Sequence, residues 1–535
     1  MYNHLRSYYP IVPLAVLLVY FIFRSTGAPL SDFAGYYFGS SGLLKGDFKT
    51  VYDTFSLNAL IAQKGYTGVY VSYTPFPPFT SIVFAPFLLL PVAASKILFN
   101  IFSAGLFLFT IIRVHRFTAS RRWMLWLIPV IFFIPLRNNI FFGQSYLLVC
   151  VLLLEGFMAW KKGQMVLSSL LWATAIVFKL FPAVILFFLI AKKQYKQVLY
   201  VSIACALLGF ISLLLNGVAS WQYYVFTILP RAGNGELNDS YTYVFQSACM
   251  LLKNFFVYDA VQNPQVMYNS TVVFSICMAL FKAMILACCV GATIFQKTNE
   301  ENSVKKPSEL LIFSVWITAS LLLSPNGSSY SLILLLIPFM ALLAMVTASA
   351  NNRLLPVYIS IAVLFLIAVI PVQSFGGLPL LLQFPRLYLL LLFFFLLLKY
   401  TNIRLPWKLS IVFFAVLLLP DVLRKRHNDA STYLLAKKAP LIYEYAVKNN
   451  QLVYYYWDDK GSHEADAAYA VQQYSANDVQ LHNNQLFYKG RQITSSADLK
   501  KQPMIINGRD IIYLSDKNRG VGFYALRILS FAQRR

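Results

Sequence analysis

Charge is scarce in this sequence. Only 12% of its 535 residues are Asp, Glu, Lys or Arg, about half the share of an average soluble domain. A chain this poor in charge and 58% hydrophobic has too little polar surface for water, so a bilayer is its expected solvent. Acidic residues are the scarcer sign, 21 against 45 basic ones, for a net charge of +24. On a soluble protein that excess would point to nucleic acid. Here the basic residues sit in short loops between apolar runs, as in RVHRFTASRR (113–122) and AKKQYK (191–196). That is the positive-inside pattern, which reports orientation, and no nucleic-acid partner is expected.

Cysteine is equally sparing. Cys150, Cys205, Cys249, Cys277, Cys288 and Cys289 form no CxxC pair, and nothing from 421 onward is Cys. A disulfide framework or a zinc site is therefore not expected. His4, His115, His427, His463 and His482 form no cluster in the outer loops of the apolar region, so no His-built metal centre is expected. The Walker loop, HExxH and GxSxG are all missing, which removes the chemistries that depend on them. No internal repeat stands out. The apolar run 10–23 has no clear small-residue cleavage site and reads as a retained first span.

What is present is a series of apolar runs, with 45 Phe and 34 Tyr. Assigning sides from the basic loops gives about thirteen spans, with Arg6 inside and the tail outside. A polar outer stretch, 27–76, follows the first span. The next apolar piece, 77–91, has 15 residues and contains Pro77, Pro78, Pro86 and Pro91. It is too short to cross and reads as a re-entrant or juxtamembrane helix. The 28 residues of 164–191 begin and end at basic loops, which suits two short helices turning at FKLFP (178–182), with Pro182 as the break. From 421 the apolar runs shorten. QLVYYYW (451–457), QLFYKG (485–490) and RDIIYLS (509–515) read as strands, and Asn483-Asn484 as a hairpin turn. The expected architecture is an all-α polytopic membrane region, 1–420, followed by a small, mostly β extramembrane domain, 421–535.

Candidate chemistry gathers near one face. Asp32 opens the first outer stretch, where a carboxylate can take the proton from an acceptor hydroxyl as it attacks an anomeric carbon; alone, it reads at least as well as a helix cap. Lys179, between two apolar helices, is costly and therefore a functional candidate; it could neutralise a leaving lipid phosphate or simply snorkel. Arg137 is a weaker version, with phospholipid headgroups as the competing use. Gln144 can bond sugar hydroxyls or cap a helix. The segment 238–247 offers Asn238, Asp239, Tyr241, Tyr243 and Gln246, aromatics and amides that suit a sugar site and suit an interface belt nearly as well. Glu155 and Lys282 are intramembrane charges with a structural reading, paired with each other or with backbone.

Taken in order, DFAGYY…LLKGDFKTVYD after the first span, YTPFPPFTSIVFAPFLLLP (73–91), FGQSYLLVCVLLLEGF (142–157), VFKLFPAVILFFL (177–189) and LLLSPNGSSYSLILLLIP (321–338) resemble glycosyltransferase family 87. These are polyprenol-phosphate-mannose-dependent mannosyltransferase-like proteins of the GT-C superfamily. The resemblance covers most of 8–350. It implies a GT-C-like multi-span fold in the bacterial plasma membrane, with the active site on the periplasmic side. It implies inverting transfer of a hexose, of the mannosyl type, from a polyprenyl-phosphate donor to a glycan or glycolipid acceptor. The family's aspartate matches Asp32, its Lys-Pro motif Lys179 and Pro182, and its Gly-Gln motif Gly143 and Gln144. The resemblance implies Asp32 as base and Lys179 at the donor phosphate; the residues themselves add Arg137 beside that phosphate and Tyr36, Tyr37, Gln144, Tyr243, Gln246 and Tyr330 around sugar or acceptor. No metal or other cofactor is expected, because cationic side chains can neutralise one phosphate. The chain departs from the family after Ser324-Pro325, where members often carry His; the sequence leaves open whether Tyr330 takes that place. The competing function is a transporter, flippase or polymerase of lipid-linked glycans. Polar motifs at one face and the lack of repeats favour the enzyme.

Overall fold

The structure is a computed structural model. It describes residues 9–236, 240–294, 308–348, 354–401, 406–423, 432–433, 441–458, 461–475, 478–496 and 498–530. Asn238 and Asp239 lie outside the described residues. The chain is helical to Leu423 and β from Thr432 onward, a polytopic helical fold followed by a small β region.

Among the described residues four helices are long and apolar enough to cross a bilayer: Val92–Thr118, Tyr195–Asn216, Thr271–Ile294 and Ser329–Thr347. A bent pair, Arg122–Ile131 and Phe133–Phe142, makes a fifth if taken as one span, with a 61° bend. Counted by length and composition, the described residues fall short of the expected figure of about thirteen spans. Several further apolar helices run only 10–17 residues, short of the roughly 20 a straight crossing needs. Prolines are part of the reason. The 77–91 segment forms only Thr80–Phe84 and a 3-10 stretch, Ala85–Leu89, with Pro86 in its first turn. The 164–191 segment is two short helices, Met165–Lys179 and Val184–Ala191, broken at Leu180 with Pro182 in the intervening 3-10 turn.

The polar stretch after the first helix (Val12–Ser25) is itself helical. Asp32–Leu44 carries Gly35, Gly39 and Gly42 at i, i+4 and i+7, one face of a helix. That face lies flush on its neighbours: a Cβ on Gly39 would come 2.2 Å from the Tyr73 ring, and one on Gly42 2.5 Å from Val51. After a short helix, Phe48–Tyr52, Asp53 caps Thr54–Gln63 by accepting from the Ser56 amide at 2.9 Å.

In the tail, β1 (Thr432–Tyr433), β5 (Tyr474–Ser475), β9 (Lys500–Ile506), β10 (Asp510–Ser515) and β11 (Ala525–Ser530) form one sheet in the order β1-β11-β10-β9-β5. A second sheet joins β2 (Leu441–Lys448), β3 (Gln451–Asp458) and β4 (Gly461–Ala470). A third joins β6 (Val479–His482), β7 (Gln485–Tyr488) and β8 (Arg491–Gln492), with β6 and β7 pairing through His482↔Gln485. Asn483 and Asn484 both adopt positive φ between them, the two-residue turn that Asn-Asn favours.

The tail is fastened to the helical region by buried charge. Arg519, in the β10–β11 loop, donates twice to Asp259, at 2.7 and 2.8 Å, and both side chains are almost fully buried. Arg231 bonds Asp516 at 2.8 Å and Glu236 at 2.9 Å, and reaches the Arg519 carbonyl at 2.8 Å. The loop also meets the stretch after Asp32. Thr54 donates to the Val521 carbonyl at 3.0 Å, while Lys501 and Tyr524 both bond Asp53. Burial raises the Asp259 carboxyl, but the hydrogen bonds and charge of Arg519, with the Gln262 and Val261 amides, outweigh it and hold it down at about 2. The carboxylate is thus ionised throughout the physiological range.

Glu155 pairs with Arg113 at 3.2 Å and accepts from Thr110 at 2.9 Å. It joins two helices, the structural role its position suggested, with a partner other than Lys282.

Candidate active site

The site is built where the Asp32–Leu44 helix meets the turn between Phe133–Phe142 and Tyr146–Lys161. Gly143 makes that meeting possible. It ends the Phe133–Phe142 helix at φ 65, where glycine carries no steric cost, and a Cβ there would stand 2.6 Å from that of Phe33. The close approach sets Gln144 beside Asp32. Gln144 donates to Asp32 Oδ2 at 2.5 Å and accepts from the Tyr36 hydroxyl at 2.9 Å. Tyr36, one turn on from Asp32, also meets Ser145 at 3.2 Å. Its ring stacks on Phe84 at 4.6 Å and leans on Phe76 at 4.7 Å.

Lys179 enters from the end of its short helix and lies buried above these rings. Its ammonium sits 3.7 Å from the centroid of Tyr146, 4.8 Å from Phe76 and 5.8 Å from Tyr36. Rings attract a cation through their quadrupoles but do not neutralise it. Among the described residues it has no ion pair or hydrogen bond. Tyr146 in turn lies 5.4 Å from Tyr330 and stacks on Phe181 at 5.9 Å.

Two backbone outliers flank this pair. Ser31, immediately before Asp32, has φ 50 and ψ −144. Leu180, immediately after Lys179, has φ 50 and ψ −45. Non-glycine residues in such regions are held at a cost of about 1–3 kcal/mol each and concentrate at functional sites. Burial pushes the Asp32 carboxyl above its ordinary range; the Gln144 hydrogen bond, then the charges of Lys179 and Lys96, offset only part of that rise. A carboxylate so placed is a stronger base than one in water.

The remaining sequence candidates fall into two groups. Tyr330 joins the cluster through Tyr146. Tyr37, Tyr243, Gln246 and Arg137 are not brought to it by any contact among the described residues. Tyr37 donates to the Leu90 carbonyl at 2.9 Å. Gln246 donates to the carbonyls of Tyr243 and Gln383 and accepts from the Arg386 amide, so both ends of its amide are engaged with backbone. Tyr243 packs on Gly376. Arg137 is exposed, with its guanidinium 5.0 Å from the Phe141 centroid. Gln144, read from sequence as a sugar ligand or cap, is 3% exposed and faces Asp32 instead. Sequence reasoning did not single out Phe76, Tyr146, Ser145 or Lys96. The first three lie inside the quoted motifs; Lys96 was legible as a lone charge in an apolar run.

A multi-span helical membrane protein with one carboxylate and one ring-bound ammonium gathered at a strained turn has the form of a membrane-embedded transferase site. Residues 73–325 match the family model described as Glycosyltransferase family 87. No curated protein and no solved structure matches the chain. Over this segment, just under half of the chain, the protein is similar to glycosyltransferase family 87, and the likeness points to a membrane glycosyltransferase. The match includes Gln144 and Lys179; Asp32 and Tyr36 lie before it and Tyr330 after it.

Proposed function

We propose that the protein transfers a hexose, of the mannosyl type, from a polyprenyl-phosphate donor to a glycan or glycolipid acceptor at the outer face of a bacterial plasma membrane, with inversion. Asp32 is the general base. The acceptor hydroxyl oxygen attacks C1 from the side opposite the phosphate, its proton passes to an Asp32 oxygen, and the C1–O bond to phosphate breaks. Polyprenyl phosphate leaves with its bonding pair, so a phosphodiester with one negative charge becomes a monoester approaching two. Lys179, which rings contact and no hydrogen bond or ion pair ties down among the described residues, meets that growing charge. Gln144 fixes the Asp32 carboxylate, Tyr36 fixes Gln144, and Ser145 holds the Tyr36 hydroxyl. The tail, on the same side, braces the stretch that follows Asp32.

The observation that supports this reading is the convergence of Asp32 and Lys179, far apart in sequence, on one Gln144–Tyr36 unit. The test is transfer of radiolabelled sugar from polyprenyl-phosphate-mannose, and from the glucose and galactose analogues, in membranes containing wild type or Asp32→Asn. Transfer by the wild type with loss in the variant is the expected result. Equal transfer by the two removes Asp32 as base, and no transfer from any of these donors removes the donor class.

A further inference from the structure

Lys96 lies in the second turn of the Val92–Thr118 helix, 3% exposed. Its ammonium donates to the Pro29 carbonyl at 2.7 Å. That is one of three available protons. Pro29 belongs to the short connection between Val12–Ser25 and Asp32–Leu44, which passes through Ser31 at φ 50 directly into Asp32. A buried ammonium is costly unless an anion stands nearby, and the carboxylate that feels its charge is Asp32. The helix that carries it is held in place from the same side: Ser95 bonds the carbonyls of Phe87 and Leu90.

We propose that Lys96 is a positioning residue for Asp32: anchored on the Pro29 carbonyl, it pins the strained connection that delivers Asp32 to its helix and supplies a fixed positive charge beside the carboxylate. The proposal rests on Asp32 being the base and adds a division of labour between two lysines. Lys179 sits among rings, where it can turn to an incoming phosphate. Lys96 is tied to backbone and stays with Asp32 whether or not donor is bound. The other titratable groups acting on or with Asp32 are Lys179 from Met165–Lys179, Tyr36 on its own helix, Tyr146 from Tyr146–Lys161, and Tyr330 from the 3-10 turn Ser329–Leu335. The tyrosines stay neutral near pH 7, so the two lysines set the local charge.

The role can be read without any substrate. Dicyclohexylcarbodiimide, an apolar carbodiimide, labels a carboxyl group only in its protonated form. The pH at which the Asp32 peptide of the full-length protein becomes half-labelled, read by mass spectrometry, therefore reports its protonation. Lys96→Gln keeps a donor for Pro29 and removes the charge. Its labelling midpoint should rise by about one pH unit, a roughly tenfold weaker acid, while Lys96→Arg keeps the wild-type midpoint. Lys96→Met is the second uncharged variant should Lys96→Gln not fold. A common midpoint in wild type, Gln and Arg variants overturns the proposal, as does an Arg variant displaced as far as the Gln one. The base assignment is judged separately: sugar transfer by Asp32→Asn at the wild-type rate removes it and leaves the labelling result standing.

Discussion

Replacing Asp32 by Asn is the most informative single change, because the structure limits what else it disturbs. Asn keeps a side-chain oxygen where Gln144 donates, so the Gln144–Tyr36–Ser145 chain survives and the helix bearing Gly35, Gly39 and Gly42 remains seated. What disappears is the ability to accept a proton. A general base contributes about 10²–10⁴-fold to rate. Two features put this case in the upper part of that range. The carboxyl is raised by burial, so it is well matched to a hydroxyl proton. Asp32 is also the only carboxylate acting on Tyr36, Tyr146, Tyr330 and Lys179 among the described residues, so no neighbour can take over. The expected loss is about 10³–10⁴ in kcat, or roughly 4–5 kcal/mol of barrier, with little change in KM or in melting temperature. The assay is single-turnover transfer from labelled donor by purified protein in lipid. Burial of Asp32 also fixes the direction of the pH dependence. A base works when ionised, so activity is present above its pKa and lost below. Because burial raises that pKa, the acid limb should lie above the ordinary carboxylate range near 4. A variant within about tenfold of wild type, or an acid limb at or below pH 4, refutes the assignment.

Lys179→Met should lower kcat about 10²–10³-fold, with Lys179→Arg recovering part of it; equal loss in both indicates a packing role. Gln144→Leu removes a bond that holds the Asp32 carboxyl down, so the acid limb of the rate profile should move to higher pH. Gly143→Ala needs the turn to move away from Phe33, and should cost about 1–3 kcal/mol with a lower kcat at unchanged expression. Arg519→Met strips the guanidinium from the buried Asp259 carboxylate, for a loss of about 3–5 kcal/mol seen as a lower melting temperature and easier proteolysis of the tail. In the wild type that pairing has its own pH signature. With the Asp259 carboxyl depressed to about 2, its contribution of about 2–3 kcal/mol is complete above the unfolded value near 4 and is lost as pH falls through about 2.

The strands at 451–458, 485–488 and 510–515, the Asn483-Asn484 turn and the break after Lys179 were legible because each follows from local chemistry: side-chain alternation, an Asn pair that tolerates positive φ, a proline. Asp32 and Lys179 stood out for a similar reason, since a charge beside apolar runs is costly wherever it lies. The span count was not legible, because hydropathy gives the length of an apolar run and not where backbone breaks divide it. Gln246 and Tyr37 were misleading for the opposite reason. A side chain's hydrogen-bonding capacity is visible in sequence, but which backbone carbonyl takes it up is not.

By itself, then, the sequence determined the solvent of this protein, its two-part composition and the short list of residues able to do chemistry. Those depend on side-chain type and spacing. Tertiary structure alone decided which of them meet. Gly143 brings Gln144 against Asp32, three rings rather than a carboxylate receive Lys179, Lys96 reaches the turn before Asp32, and Arg519 of the tail finds Asp259 some 260 residues away. Such contacts require the burial of many apolar side chains to be satisfied at once, and no local pattern encodes where those packing solutions converge.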